Sequence, residues 1–178
     1  MPEVETSTPP GTPTPIGPYS HIARVGSSIT IGGVAGFDPA TGRLAGDDVA
    51  SQTRQILTSF KTMLASVNSD LDHVVHINIF LREMSDFDAM NTAYAEMMGS
   101  HRPARTAIGV RELPKPGLRL TMNLRAVSRD CNKRIAMSSA EIVIRQSVAD
   151  DRESLMALMM ELQEFERQFA DRAVADRE

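Results

Sequence analysis

A chain of 178 residues, 42% hydrophobic and 24% charged, is long enough for one well-buried domain with an appendage. Its net charge of −4 argues against broad, sequence-independent nucleic-acid binding, which needs a basic surface to displace phosphate counterions. The single cysteine, Cys131, excludes an intramolecular disulfide and a cysteine-cluster zinc site, and no apolar run approaches the roughly 18 to 20 residues of a membrane span.

The opening "MPEVETSTPPGTPTP" carries acidic residues and prolines where a signal peptide has a basic end and an apolar core, so a cytoplasmic protein is expected. Its prolines supply no backbone donors, and residues 1–14 read as an extended, unpaired, disordered tail. "HIARVG" and "SSITIGG" then form a plausible hairpin across Gly26-Ser27, the second strand meeting a bend at its two glycines. "DPATG" is a turn, with Asp38, Pro39 and Gly42 suitably placed.

From Val49 to Val67 the pattern turns helical: Ile56, Phe60, Met63, Leu64 and Val67 share a face, with Gln52, Arg54, Gln55 and Lys61 elsewhere. "HVVHINIFL" alternates, pointing Val75, Ile77, Ile79 and Leu81 one way and His76, Asn78 and Phe80 the other. A second helix follows at "SDFDAMNTAYAEMMG". Ser85 or Asp86 can cap it, Phe87, Met90, Tyr94, Met97 and Met98 form its stripe, and Gly99 closes it. "RTAIGVREL", the turn "PKPG" and "LRLTMNLRAV" supply two more strands. In the last, Leu118, Leu120, Met122, Leu124 and Ala126 share one face, and Arg119, Thr121, Asn123 and Arg125 the other.

The order β-β-α-β-α-β-β predicts an α+β domain over residues 15–128, two helices covering one face of a mixed sheet. The other face, with His76, Asn78, Thr121 and Asn123, is too polar for a monomer core, and a cleft or a subunit interface would explain it. Residues 129–140 lose periodicity and read as a linker. Residues 141–178 read as a strand at "EIVIRQSV" and a helix from Asp150 with Leu155, Leu158, Met159, Leu162, Phe165 and Phe169 on its stripe, an appendage too small to form its own core.

"GPYSHI", "GFDPATGRL", "DFDAMNTAYAEMM" and "RPARTAIGVRELPKPG", in this order and spacing, resemble the Rid (YjgF-type) family of enamine/imine deaminases over residues 14–128. The resemblance implies a chorismate-mutase-like fold assembled as a homotrimer, with clefts between subunits. It also implies hydrolysis of small 2-imino or enamino acids to 2-oxo acids and ammonia, without a cofactor. On this basis Arg105, the arginine of "PAR", holds the carboxylate of the substrate. An arginine suits that role because its planar fork donates two parallel hydrogen bonds and stays charged.

Tyr19 of "GPYS" and Asn91 match family positions in the same cleft, with Ile31 and Gly32 beside them in the substrate-binding set. Ile31 stands where many members carry a serine. Asn123 falls where deaminating members place a glutamate, and an amide can orient water but cannot accept its proton. Two alternatives stay open: a non-catalytic carboxylate-binding or regulatory protein, and an RNA-cleaving one, which the acidic balance and the lack of a stacking aromatic face oppose.

Residue by residue, Asn91 is as able to bond a neighbouring loop, and Asn123 to sit at an interface. His73 and His76, three apart on a strand, point to opposite faces, so no metal is expected. Cys131 reads as an inert thiol and "GGVAG" as a sheet bend. The C-terminal piece looks like the first strand and helix of a GNAT acetyltransferase, but without that family's pyrophosphate loop it implies no acetyl-CoA site.

Overall fold

The computed structural model describes residues 3–130. The expected strand-helix appendage, most of the linker and Cys131 lie outside the described residues.

Six strands form one sheet: β1 (Glu5–Ser7), β2 (Ile22–Val25), β3 (Ser28–Ala35), β4 (Val74–Leu81), β5 (Ala104–Gly109) and β6 (Leu120–Val127), in the order β1-β2-β3-β6-β4-β5. All neighbours are antiparallel except β4 and β5, which run parallel because a helix carries the chain between them. That helix, α2 (Phe87–Met98), and α1 (Val49–Ser66) cover one face of the sheet, as the residue pattern requires. Ile29, Ile31 and Val34 of β3, Ile77, Ile79 and Leu81 of β4, and Leu120, Met122 and Leu124 of β6 pack there against Ile56, Leu57, Phe60, Met63 and Leu64 of α1 and Met90, Tyr94 and Met98 of α2.

Local chemistry sets the element ends. The Asp48 carboxylate accepts the backbone N–H of Ser51 and caps α1, while Gly99, at φ 61°, closes α2. The carboxylate of Asp38 takes the N–H of Ala40 and the hydroxyl of Thr41, which builds the "DPATG" turn. Neither Ser85 nor Asp86 caps α2 with its side chain. Asp86 occupies the cap position without a side-chain bond, because a 3-10 turn at Met84–Asp86 leads directly into the helix.

Three details depart from the sequence reading. The tail is paired: Glu5, Thr6 and Ser7 lie opposite Arg24, Ala23 and Ile22. No proline stands between Pro2 and Pro9, so "EVETST" keeps its backbone donors, and its alternating β-branched residues suit an edge strand. Val75 is 54% exposed, with Val74 buried in its place, because the β4–β6 register slips between Val74 and His76. The bend expected at Gly32-Gly33 is likewise a register shift inside β3, which runs on to Ala35.

Gln52 is fully buried on α1 and ties three backbone groups together. Its amide nitrogen donates to the carbonyls of Gly46 and Gly117, and its oxygen accepts the N–H of Arg119.

At the opposite end of the sheet, the Asp70 carboxylate meets His73 Nδ1 at 2.6 Å and the Arg129 guanidinium at 2.5 Å. Burial pushes the Asp70 carboxyl up, but hydrogen bonds from His73 and Arg129 outweigh it and hold the group at about 2. A carboxyl whose folded value is depressed stabilises the fold above its unfolded value and loses that contribution as pH falls towards the folded one. Asp70→Asn keeps the acceptor for the N–H of Asp72 and removes the charge. After discounting for solvent exposure, it is expected to cost about 1 kcal/mol near neutral pH. Urea titrations should show the gap between the two proteins closing as pH drops from about 4 towards about 2. A constant gap would mean that the charge is not the source.

Candidate functional site

Arg105 lies one residue inside β5, at the free edge of the sheet. The parallel register sets it beside Ile77, and residues so paired share a face, so Arg105 points to the helix side. There α2 receives it. Phe87, Asn91 and Tyr94 follow one another by four and three residues and so form one stripe of the helix. Asn91 Oδ1 accepts a hydrogen bond from Arg105 Nη1 at 2.7 Å, and the guanidinium carbon stands 5.0 Å from the centre of the Tyr94 ring and 5.9 Å from that of Phe87. Amide and aromatic rings together aim a solvent-exposed guanidinium that would otherwise sweep freely.

The guanidinium borders a hollow of about 400 Å³ lined by Asn91, Tyr94, Ala95, Arg102, Pro103 and Arg105. Tyr94 is 6% exposed, and its hydroxyl has no hydrogen-bond partner among the described residues. Burial raises the Tyr94 phenol above its ordinary value, the charges of Arg105 and Arg102 offsetting part of the effect, so the hydroxyl stays protonated and remains a donor. An aimed arginine and a second arginine give this hollow the chemistry to take an anion.

Tyr19 does not line this hollow within one chain. It is 41% exposed, its hydroxyl accepts the N–H of Ile16, and its ring stands edge-on to His21 with centres 5.6 Å apart. With Gly32, Gly33, Ala35, Phe37 and Thr121 it borders another hollow, of about 420 Å³. Ala35 is paired with Thr121, and Thr121 with Phe80, on the sheet face turned away from the helices. Asn123 shares that face, opposite Asn78, whose amide nitrogen donates to Asn123 Oδ1 at 2.8 Å. Arg105 and Asn123 therefore lie on opposite faces of one sheet.

Ile31 corrects the expected substrate-binding set. Its side chain is 0% exposed and packs in the core, paired with Leu124, because it shares the inward face of Ile29 two residues before it. Gly32 does line the Tyr19 hollow, and its N–H donates to the carbonyl of His21. Of the two histidines weighed as metal ligands, His73 is engaged by Asp70 and His76 lies against Thr106.

Sequence reading missed Tyr94, Phe87 and Arg102. The first two were placed in the packing stripe of α2, which they also serve. The signal that could have singled them out is the Phe87-Asn91-Tyr94 spacing opposite an arginine strand.

Residues 10–128 match the family model described as Endoribonuclease L-PSP. A RutC family protein of Pyrococcus horikoshii is 41% identical over 103 residues, covering 58% of this chain and 82% of the relative. The 2-iminobutanoate/2-iminopropanoate deaminase of Dermatophagoides farinae is 35% identical over 106 residues, 60% of this chain and 83% of that protein. Among solved structures, the YjgF gene product of E. coli superposes with a TM-score of 0.66 at 29% identity, covering 70% of this chain and 99% of that one. No helix among the described residues is long and apolar enough to cross a membrane.

Proposed function

This chain belongs to the endoribonuclease L-PSP family, that of the YjgF, RutC and Rid proteins, and from that premise we propose that it hydrolyses small 2-imino acids to 2-oxo acids and ammonia. The observation that carries the reading is the aimed guanidinium of Arg105, held by Asn91 over Tyr94 at the mouth of an open hollow. A relative at 35% identity is named for the deamination of 2-iminobutanoate and 2-iminopropanoate.

In the proposed reaction Arg105 holds the carboxylate and fixes the adjoining imine carbon. Water adds to that carbon, both of its hydrogens pass to the imine nitrogen, the C–N bond breaks with its electron pair leaving on ammonia, and the water oxygen remains as the carbonyl of the 2-oxo acid. Free imines are already reactive towards water, so positioning supplies much of what the protein needs to add. Arg105 on one sheet face and Tyr19, Gly32 and Asn123 on the other meet only if a second copy brings its own face to the first. This supports a homotrimeric assembly with clefts between subunits. The assay is ammonia release from imines generated in place by an amino-acid oxidase, and a wild-type rate equal to buffer would end this reading.

A second reading, a carboxylate-binding protein without turnover, is favoured by Asn123. It is an amide, and its oxygen is already taken by Asn78. Asn123→Glu keeps an acceptor for Asn78 and adds a base. If hydrolysis is limited by proton acceptance, the variant is expected to gain about tenfold or more in ammonia release. An unchanged rate would mean that another group handles the water. The net charge of −4 weighs against RNA cleavage, and no binding to single-stranded RNA is expected even at low salt.

A further inference from the structure

The Arg105 hollow is built for more than one negative charge. Arg102, in the turn after α2, lines it together with Arg105. Its Nη1 donates to the carbonyls of Gly99 at 2.5 Å and His101 at 2.8 Å. These bonds fix the guanidinium at the mouth and leave the rest of its fork without a partner among the described residues. No aspartate or glutamate is among the described residues that line the hollow. Glu96, next to Ala95 on α2, is turned away and bonded to Arg54 of α1 at 2.8 Å.

The groups that this chain turns to the space are therefore nearly all donors. Arg105 and Arg102, both exposed, offer free N–H groups. The acceptor present, Asn91 Oδ1, is already occupied by Arg105. A monocarboxylate on Arg105 would leave the exposed guanidinium of Arg102 to water alone. A ligand with a second acid group would replace that water with a charge-assisted bond.

We propose that the preferred substrate is a 2-imino dicarboxylic acid, with one carboxylate on Arg105 and the other taken by Arg102. The imino part of this assignment rests on the deaminase reading; the two-acid part rests on the hollow alone.

Calorimetric titration of the intact protein with 2-oxoglutarate and with 2-oxobutanoate separates the two parts. The wild type is expected to bind the dicarboxylate about tenfold more tightly, the scale of one charge-assisted contact. Arg102→Ala should bring the ratio of the two affinities close to one, and Arg102→Lys, which restores charge without the fork, should leave it in between. Equal wild-type affinities, or an Arg102→Ala variant that weakens both ligands by the same factor, would overturn the proposal. So would inorganic phosphate displacing 2-oxoglutarate at equal concentration, since phosphate has the charge but not two separate acid ends. The deaminase reading fails independently, by absence of ammonia release from any imine, whatever the affinity ratio.

Discussion

Arg105→Ala is expected to lower kcat/KM for ammonia release from 2-imino acids by about 100-fold, the equivalent of about 2.7 kcal/mol. A guanidinium that grips a carboxylate through two charge-assisted hydrogen bonds contributes on that scale, and an alanine leaves the acid group desolvated without a counter-charge. The fold should survive. Arg105 is exposed on an edge strand, and its partners are a single amide and the faces of two rings. The expected stability change is under about 1 kcal/mol, and circular dichroism and assembly size should not change. Arg105→Lys should fall between, near tenfold, because the charge persists while the fork and its alignment by Asn91 are lost. Asn91→Ala should act mainly through KM, since it frees the guanidinium to wander without removing it. If Arg105→Ala matched a wild type that itself exceeded buffer, the anion anchor would have to lie elsewhere.

Arg105 could be found from sequence because a motif marks it and because a lone guanidinium at a strand entry demands an explanation. The central strands were equally legible. Leu118 to Ala126 alternate without interruption into and along β6, which is flanked on both sides and so must sort its faces by polarity. What failed was direction rather than identity. Ile31 was assigned to the site by resemblance, yet it keeps the alternation of Ile29, two residues before it, and points into the core. Val75 fits the alternation of β4 and is turned out by the shift before His76. The opposition of Arg105 and Asn123 across the sheet follows from the parallel pairing of β5 with β4, a long-range fact that no local pattern encodes. Tyr94 stayed hidden for another reason: an aromatic at helical spacing reads as core, and it is core except for the ring face turned to Arg105.

Gln52→Leu is expected to destabilise the domain by about 3 kcal/mol, the largest stability effect of any polar position, although leucine has a similar volume and suits a buried helix site. The amide is the junction of three segments. Its nitrogen serves the carbonyls of Gly46, before α1, and Gly117, before β6, and its oxygen holds the N–H of Arg119 at 2.9 Å. Leucine would leave all three backbone groups without this partner. Water can reach some of them, which keeps the cost below the sum of three full losses.

The surroundings also resist repair. Gly36 sits so close to α1 that a Cβ there would stand 2.7 Å from Gln52 Cβ, so the helix cannot slide to offer another donor. Gln52→Glu provides the control. It preserves the acceptor for Arg119 but, when ionised, turns a second oxygen towards two carbonyls, and it should be at least as damaging as leucine near neutral pH. Two facing carbonyls raise its folded pKa above the ordinary value of about 4.3, and on acidification its protonated form regains one donor, so the Glu variant should recover relative to the Leu variant as pH falls from about 7 towards about 4. Thermal unfolding of the three proteins across that range measures the effect, with a loss on the order of 10 °C for leucine near neutral pH. A Leu variant as stable as wild type would show that the loops around Gly46 and Gly117 are held by packing and not by this amide.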